Sequence, residues 1–373
     1  MRVERLTETD FRAIEPQWRE LLARSAADPL FMGWPWLYSW WETWGQELGA
    51  ELALFAAYGD DDRLVGLAPF YLYNFRSPVG LRVRRLHFMG NAWRMRATVR
   101  TEYSSLILEY GSEGTIAQEL LKALARLEWG EMVVCDQTVP ELLRWQEALD
   151  YVGINAACVP RTIDAGVRVA VSGHFENWLA ELGRNTRLKA YNRRGYLQSQ
   201  GEFACTQVPV SDNGWFFARL NEFHGHRWGK PCFDESAVRF HQRLLERLDP
   251  DQPALSALMF KGEVVAVLYD LQAGRTRYNL QAGFLEELDS KVALGTLHLG
   301  YAIEAAFNDT GTDYYDLLAG YGKNSFYKSR FQGETVHFVT VQFARHPVLR
   351  WIYRLQSWLP GRLRQSINRF VRL

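Results

Sequence analysis

Hydrophobic and polar positions along the chain repeat one order of elements twice. Residues 51 to 73 hold two apolar runs separated by Gly59-Asp60-Asp61-Asp62, the pattern of a β-hairpin. Residues 254 to 271 hold a second such pair, with Lys261-Gly262 at the turn. Each hairpin leads through another strand-rich stretch to a helix-patterned segment, a short polar break, and a β-branched or aromatic strand. These are residues 116 to 136 in the first copy and 298 to 318 in the second. A hairpin followed by helix and strand suits helices packed on a mixed sheet, and the repetition predicts two domains of one topology.

Between the copies, Phe175, Trp178, Leu179 and Leu182 recur at helical spacing within residues 174 to 201, which predicts the opening helix of the second domain. A second helix over about residues 212 to 228 carries Trp215, Phe216, Leu220 and Phe223 and stops at Gly229-Lys230-Pro231. The boundary therefore falls near residue 165, giving domains of residues 1–165 and 166–345 with a tail over 346–373. The expected fold class is α/β (α+β), each domain a mixed, mostly antiparallel sheet flanked by helices.

Composition narrows the partners. A chain of 373 residues exceeds one ordinary core, and 47% hydrophobic residues with 14 Trp exclude a disordered chain. Lys+Arg and Asp+Glu are both 43, so no global field steers the protein to DNA, and charge acts locally. Residues 74 to 100 carry seven Arg and no acid, and residues 184 to 194 carry five positive charges. Such runs are ordinarily solvated surface, but their density favours phosphate contact with an anionic small-molecule, sugar-linked or lipid-linked substrate.

The tail holds six Arg and no acid, with Leu363, Ile367, Phe370 and Val371 forming an apolar stripe. Its composition fits either an interfacial helix in peripheral contact with a membrane or a helix packed on the body. Cys135, Cys158, Cys205 and Cys232 lack metal-site spacing, so no metal is expected. The charged start, Met1 to Phe11, is unlike a signal peptide, and no run is long and apolar enough to span a bilayer. The expected location is cytoplasmic, peripheral at the inner membrane if the tail engages lipid.

Five elements in order carry a family resemblance: residues 175–194, a helix with a basic tail; Glu222 to Gly229 with its His-x-x-Arg-Trp pattern; Thr276 to Phe284, a strand ending in Gly-Phe; Ser290 to Leu299, a Gly-containing loop entering a helix; and Tyr315 to Phe331, with Asp, Gly and Tyr-Lys in order. Over residues 174 to 332 the chain resembles the CelD/BioF-like acetyltransferase family of the GNAT superfamily, distantly related to the FemABX peptidyltransferases. A weaker resemblance runs over residues 30 to 110. It implies two tandem GNAT-like domains, with acyl transfer in the second and acyl-CoA, such as acetyl-CoA, as co-substrate. The loop from Lys291 to Thr296 departs from the Arg/Gln-x-x-Gly-x-Gly/Ala pyrophosphate loop of ordinary GNAT enzymes. FemABX relatives take aminoacyl-tRNA instead, which leaves the donor open.

Acyl transfer needs a base, donors for an oxyanion and a proton source. His224, Tyr278, Asp316 and Lys328 are the catalytic candidates, each a polar group in an apolar or aromatic segment and each in a signature element, and they are expected to converge on one cleft between the two domains. Alternation places Tyr278 and Leu280 on one strand face and Arg277, Asn279 and Gln281 on the other. Gln281 and Gly283, where the family's strand splays, and Gly295 and Thr296, at a helix start, are the candidates for holding the acyl donor. Arg187, Arg227, Trp228 and Tyr327 are the candidates for binding substrate. For each, a structural role stands beside the functional one: strand packing for Tyr278, an ordinary helix start for Gly295, and loop-ordering for Asp316 with Lys328. The expected activity is N- or O-acyl transfer to an envelope, polysaccharide or lipid precursor. The alternatives are an aminoacyl-tRNA-dependent transferase and a non-catalytic accessory of a polysaccharide-synthesis complex.

Overall fold

A computed structural model describes residues 1–76, 80–320 and 328–358. In chain order its elements begin with β1 (Arg2–Arg5), α1 (Glu8–Ala13), α2 (Glu15–Ala23), α3 (Trp34–Trp44), β2 (Glu51–Tyr58), β3 (Leu64–Arg76), β4 (Arg82–Phe88), β5 (Ile107–Leu108), α4 (Glu113–Ala125), β6 (Glu131–Thr138), α5 (Val139–Tyr151) and β7 (Ala157–Ala170). They continue with α6 (Phe175–Glu181), α7 (Arg184–Arg187), a π-helical turn (Leu188–Asn192), α8 (Arg193–Gln200), β8 (Phe203–Gln207), α9 (Asn213–Trp228) and α10 (Glu235–Arg247). The remainder are β9 (Pro253–Phe260), β10 (Glu263–Ala273), β11 (Thr276–Phe284), α11 (Leu294–Phe307), β12 (Tyr314–Ala319), β13 (Glu334–Ala344) and α12 (Pro347–Ser357).

Both expected hairpins form, β2 with β3 and β9 with β10, each antiparallel. The predicted helix–strand pairs are α4 with β6 and α11 with β12. The segment expected to open the second domain as one helix is instead broken into α6, α7, the π turn and α8. Leu182 and Gly183 leave helical geometry with ψ near 140°, which stops α6.

The chain divides into two compact units, residues 1–163 with 337–373, and residues 164–336. Each is a mixed sheet with helices, and the strand orders correspond. The first unit runs β1-β2-β3-β4-β6-β13, the second β8-β9-β10-β11-β12-β7. In both, one neighbouring pair is parallel, β4 with β6 and β11 with β12, while the other pairs are antiparallel. The two units exchange closing strands: β13, after the second unit's elements, closes the first sheet, and β7, after the first unit's, closes the second. Residues 337–345, expected with the second domain, therefore fold with the first.

A shared irregularity marks the strand that receives each closing strand. Cys135 and Asp136 in β6 stand opposite one residue of β13, and Leu317 and Leu318 in β12 stand opposite one of β7. Asp136 and Leu318 take left-handed backbone, φ 47° and 57°. Two β-bulges with the same ending give the sheets matching kinks. The first unit's core is aromatic, with Trp18, Trp36, Trp40 and Trp44 fully buried. In the second, Phe175, Trp178, Leu299, Ile303 and Tyr315 share one cluster.

α12 starts the tail, and its Leu349 and Tyr353 are buried against Phe75 and Val83 of the first unit. Packing on the body is thus what residues 347–357 do. The stripe from Leu363 to Val371 lies outside the described residues. Among the described residues, no helix is long and apolar enough to cross a membrane, and no cluster of three or more His, Cys, Asp or Glu could hold a metal ion.

Candidate functional site

The expected catalytic residues all fall in the second unit, on or beside β11 and β12. These parallel strands pair only at their starts, where Thr276, Arg277 and Tyr278 face Tyr314, Tyr315 and Asp316. Pairing stops there while β11 runs on to Phe284, so its later residues have an edge that β12 does not cover. Tyr278 and Asp316 are register partners, both buried.

Polar groups of the protein occupy this edge. Leu285 N–H donates to Val265 O, which sets the alternation of the β10–β11 ladder and turns the N–H and C=O of Ala282 away from β10. Ala282 N–H then donates to the Gln281 Oε1 at 3.1 Å, and Ala282 O accepts from His224 Nε2–H at 3.2 Å. A carbonyl only accepts, so this bond fixes the proton on Nε2 and leaves Nδ1 as the basic nitrogen. Burial, then the like charge of Arg227, lowers His224 below the ordinary imidazole range, while the Ala282 carbonyl and Gln281 pull the other way. A neutral imidazole at the edge that β12 leaves unpaired can take a proton from an ammonium or hydroxyl.

Gln281 faces opposite to expectation. A register shift at Tyr269/Asp270 leaves Leu280 unpaired, so Gln281 lies across from Tyr269 and Tyr278 across from Leu271. Tyr269 and Leu271 share a face, and so do Gln281 and Tyr278. Simple alternation had separated them. Gln281 Nε2 also donates to Cys232 Sγ at 3.0 Å, which ties the loop after α9 to the strand.

The candidate glycines are packing residues. A Cβ at Gly283 would stand 3.0 Å from Leu220 Cδ1 and 3.2 Å from Phe223 Cβ, so its bareness lets α9 lie on β11 and bring His224 to the edge. A Cβ at Gly295 would meet the Phe284 ring at 2.5 Å. Gly295 and the buried Thr296 belong to the first turn of α11, which has no side-chain cap, so its leading amides are available to an anion.

Asp316 and Lys328 act on one piece of backbone. Asp316 Oδ1 accepts from Leu318 N–H at 2.7 Å, and Lys328 Nζ donates to Leu318 O at 3.0 Å and Ala319 O at 2.8 Å. Leu318 is the left-handed residue of the bulge, so the two side chains brace the kink at the end of β12. This is the loop-ordering role that stood as the alternative, now with its atoms named.

Arg227 pairs with Glu286 at 2.7 Å and stacks on Phe284 and Trp228, whose indole is exposed. Arg187 is engaged by the Ala180 carbonyl at the end of α6. Tyr327 lies outside the described residues. Sequence reasoning missed Cys232 and Asp270. Asp270 is an acid inside the apolar run Glu263 to Ala273, the same signal that singled out Asp316, and it is bonded by Asn279 and Tyr315 at 2.8 Å each.

Residues 184–329 match the model of the Acetyltransferase (GNAT) domain family. Among solved structures, FemX aligns with TM-score 0.63 at 12% identity, covering 94% of this chain and 99% of that one. The structure of L-PGS from Bacillus licheniformis aligns with TM-score 0.52 at 10% identity, over 95% and 96%. The C-terminal domain of a putative lysylphosphatidylglycerol synthetase from Agrobacterium fabrum aligns with TM-score 0.52 at 7% identity, over 90% and 92%. No curated protein matches the chain in sequence. The fold is that of two GNAT-like units in tandem, and it is the second that matches the GNAT domain in sequence.

Proposed function

We propose that the second unit transfers an acyl group from acyl-CoA to an amine or hydroxyl of an anionic acceptor. The observation that supports this most is the edge of β11 that β12 leaves unpaired, where Ala282 N–H and C=O are held by Gln281 and His224. Gln281 can swing aside for an extended amide-bearing donor whose carbonyl would accept from Ala282 N–H as a neighbouring strand's would, while His224 keeps its bond to Ala282 O. The uncapped first turn of α11, with Gly295 and Thr296, would meet the donor's phosphates. His224 Nδ1 would take the acceptor's proton as its nitrogen or oxygen attacks the thioester carbonyl. The new amide or ester bond forms as the carbon–sulfur bond breaks, and the leaving thiolate takes up the proton that His224 received.

Aminoacyl-tRNA as donor is the second reading, favoured by the departure of residues 291–296 from the usual pyrophosphate loop and by the likeness to FemX. The lysylphosphatidylglycerol synthetase likeness, together with the basic tail, supports a lipid-linked acceptor met at a membrane surface. A thermal-shift screen of acyl-CoA thioesters against free CoA and aminoacyl-tRNA tests the donor. Stabilisation by a thioester, followed by thiol release in the presence of an amine acceptor, is expected. Stabilisation by aminoacyl-tRNA alone would move the donor to the second reading, and no response to either would favour an accessory role.

A further inference from the structure

Arg85 of β4 is fully buried in the first unit, and its Nη1 and Nη2 have no hydrogen-bond partner among the described residues. Its Nε bonds Glu131 of β6, also fully buried, and its guanidinium lies over the Phe75 ring at 3.5 Å. Glu131 in turn accepts from the Tyr353 hydroxyl on α12, and Tyr353 offers its ring to Arg161 at 4.5 Å. Arg161 Nε bonds Gln342 of β13, while Arg161 Nη2 and Gln342 Nε2 are buried without partners among the described residues. His87 stands two residues from Arg85 on the same face of β4, and neither ring nitrogen has a partner there.

Charge in this cluster does not balance. Burial, then the like charges of Arg161 and Arg85, push Arg94 at the rim down to about 10, against the opposing Tyr353 and Glu131. Arg161 is lowered by burial first, with Tyr353 and Glu131 pulling the other way. Arg85 and Arg161 against the Glu131 carboxylate leave one positive charge in the buried cluster. Buried donors and buried charge call for a counter-charge that accepts several hydrogen bonds at once. A phosphate group brings negative charge and several acceptors at once, and the guanidinium fork fits it in two-pronged fashion.

We propose that the first unit binds a phosphate group among Arg85, Arg161, Gln342 and His87, at the sheet face covered by α12. This site is independent of the transfer chemistry assigned to the second unit. Because Tyr353 joins the cluster from α12, the bound phosphate also fastens that helix to the sheet.

Equilibrium dialysis of the full chain with radiolabelled inorganic phosphate in 150 mM sodium chloride, chosen as about physiological ionic strength, tests the site directly. One phosphate per chain is expected, displaced poorly by acetate. Arg161→Gln should weaken retention at least tenfold and Arg161→Lys less, with circular dichroism confirming the fold. If Arg161→Gln does not fold, Arg94→Gln at the exposed rim should still weaken retention severalfold. No retained phosphate would overturn the proposal, as would retention unchanged in folded Arg161→Gln or Arg94→Gln. In that case the donors are met by water.

Discussion

Gly300 of α11 faces Ala190 of the π turn so closely that a methyl group at its Cβ position would stand 1.9 Å from the Ala190 carbonyl oxygen. The neighbour is backbone, so a side chain at residue 300 must force the segments apart. Gly300→Ala should therefore destabilise the protein by about 3 kcal/mol, the upper range for overpacking. Gly295→Ala meets the Phe284 ring and should cost less, because a ring can turn. Urea unfolding of both variants checks the order, and equal losses would show that backbone contact does not decide it.

The lowered basicity of His224 predicts a pH profile. The base acts when unprotonated, so transfer should fall off below the depressed pKa and stay level through neutral pH. His224→Gln can still bond Ala282 O but cannot take a proton, and turnover should fall roughly 10² to 10⁴-fold. An acidic limb above pH 6.5, or a profile unchanged in the variant, would remove His224 from the chemistry.

For Asp316 and Lys328 the structural and chemical roles can be separated. Asp316→Asn keeps an acceptor for Leu318 N–H, so the kink of β12 should persist, whereas Asp316→Ala should cost about 1–3 kcal/mol by orphaning a buried N–H. If the carboxylate also serves transfer, Asp316→Asn lowers turnover roughly 10²-fold while the protein stays folded. Lys328→Ala frees two strand-end carbonyls and should lower both stability and turnover. Wild-type turnover in Asp316→Asn would reduce the residue to a brace.

These side chains also show what the sequence makes legible. The hairpins and the helices α9 and α11 follow from periodicity and turn residues, and so does the repeated order of elements. The exchange of β7 and β13 does not, because two apolar closing strands carry no mark of which sheet they complete. Nor does the bulge at Leu280, which turns Gln281 to the Tyr278 face through a local extra residue that alternation cannot see. Gly283 and Gly295 read as ligand glycines in one dimension, yet helix and ring packing requires them, as close backbone approach requires Gly300. Asp316 and Lys328 were visible as polar intruders, but their shared target, Leu318, is a backbone conformation and leaves no pattern.

Asp270 gives a stability prediction with a definite sign. Burial pushes its carboxyl up to about 7, although Asn279 and Tyr315 donate to it. A raised folded-state pKa means the folded chain holds the proton longer than the unfolded chain. Its contribution is full below about pH 4 and is lost as pH rises toward 7, at roughly 1.4 kcal/mol per pH unit at most. His241 and His298, each held down to about 3 by burial, oppose it by losing stability as pH falls below 6.5. Asp270→Asn isolates the carboxyl: relative to wild type it should gain stability between pH 4 and 7. A pH-independent difference would mean that Asp270 stays ionised in the fold.

α12 presents a second apolar face away from the core. Leu349 and Tyr353 are buried in the first unit, while Trp351 and Trp358 are 63% and 83% exposed, with Val348 and Leu355 also exposed. Arg350 and Arg354 lie on the same helix, and no acidic residue follows Glu334. Indole beside guanidinium suits the headgroup region of an anionic bilayer. Removing the tail from residue 346 would uncover Phe75 and Val83, so deletion would confuse lipid binding with folding. Substitution keeps the core intact. Trp351→Ser with Trp358→Ser should weaken co-sedimentation with phosphatidylglycerol vesicles by about 1.5 kcal/mol per indole, roughly tenfold each. Arg350→Gln and Arg354→Gln should remove about 1 kcal/mol each and flatten the salt dependence. Binding that survives all four changes would assign the contact to residues beyond 358, and no binding by the wild-type chain would leave α12 as a packing helix with an exposed aromatic side.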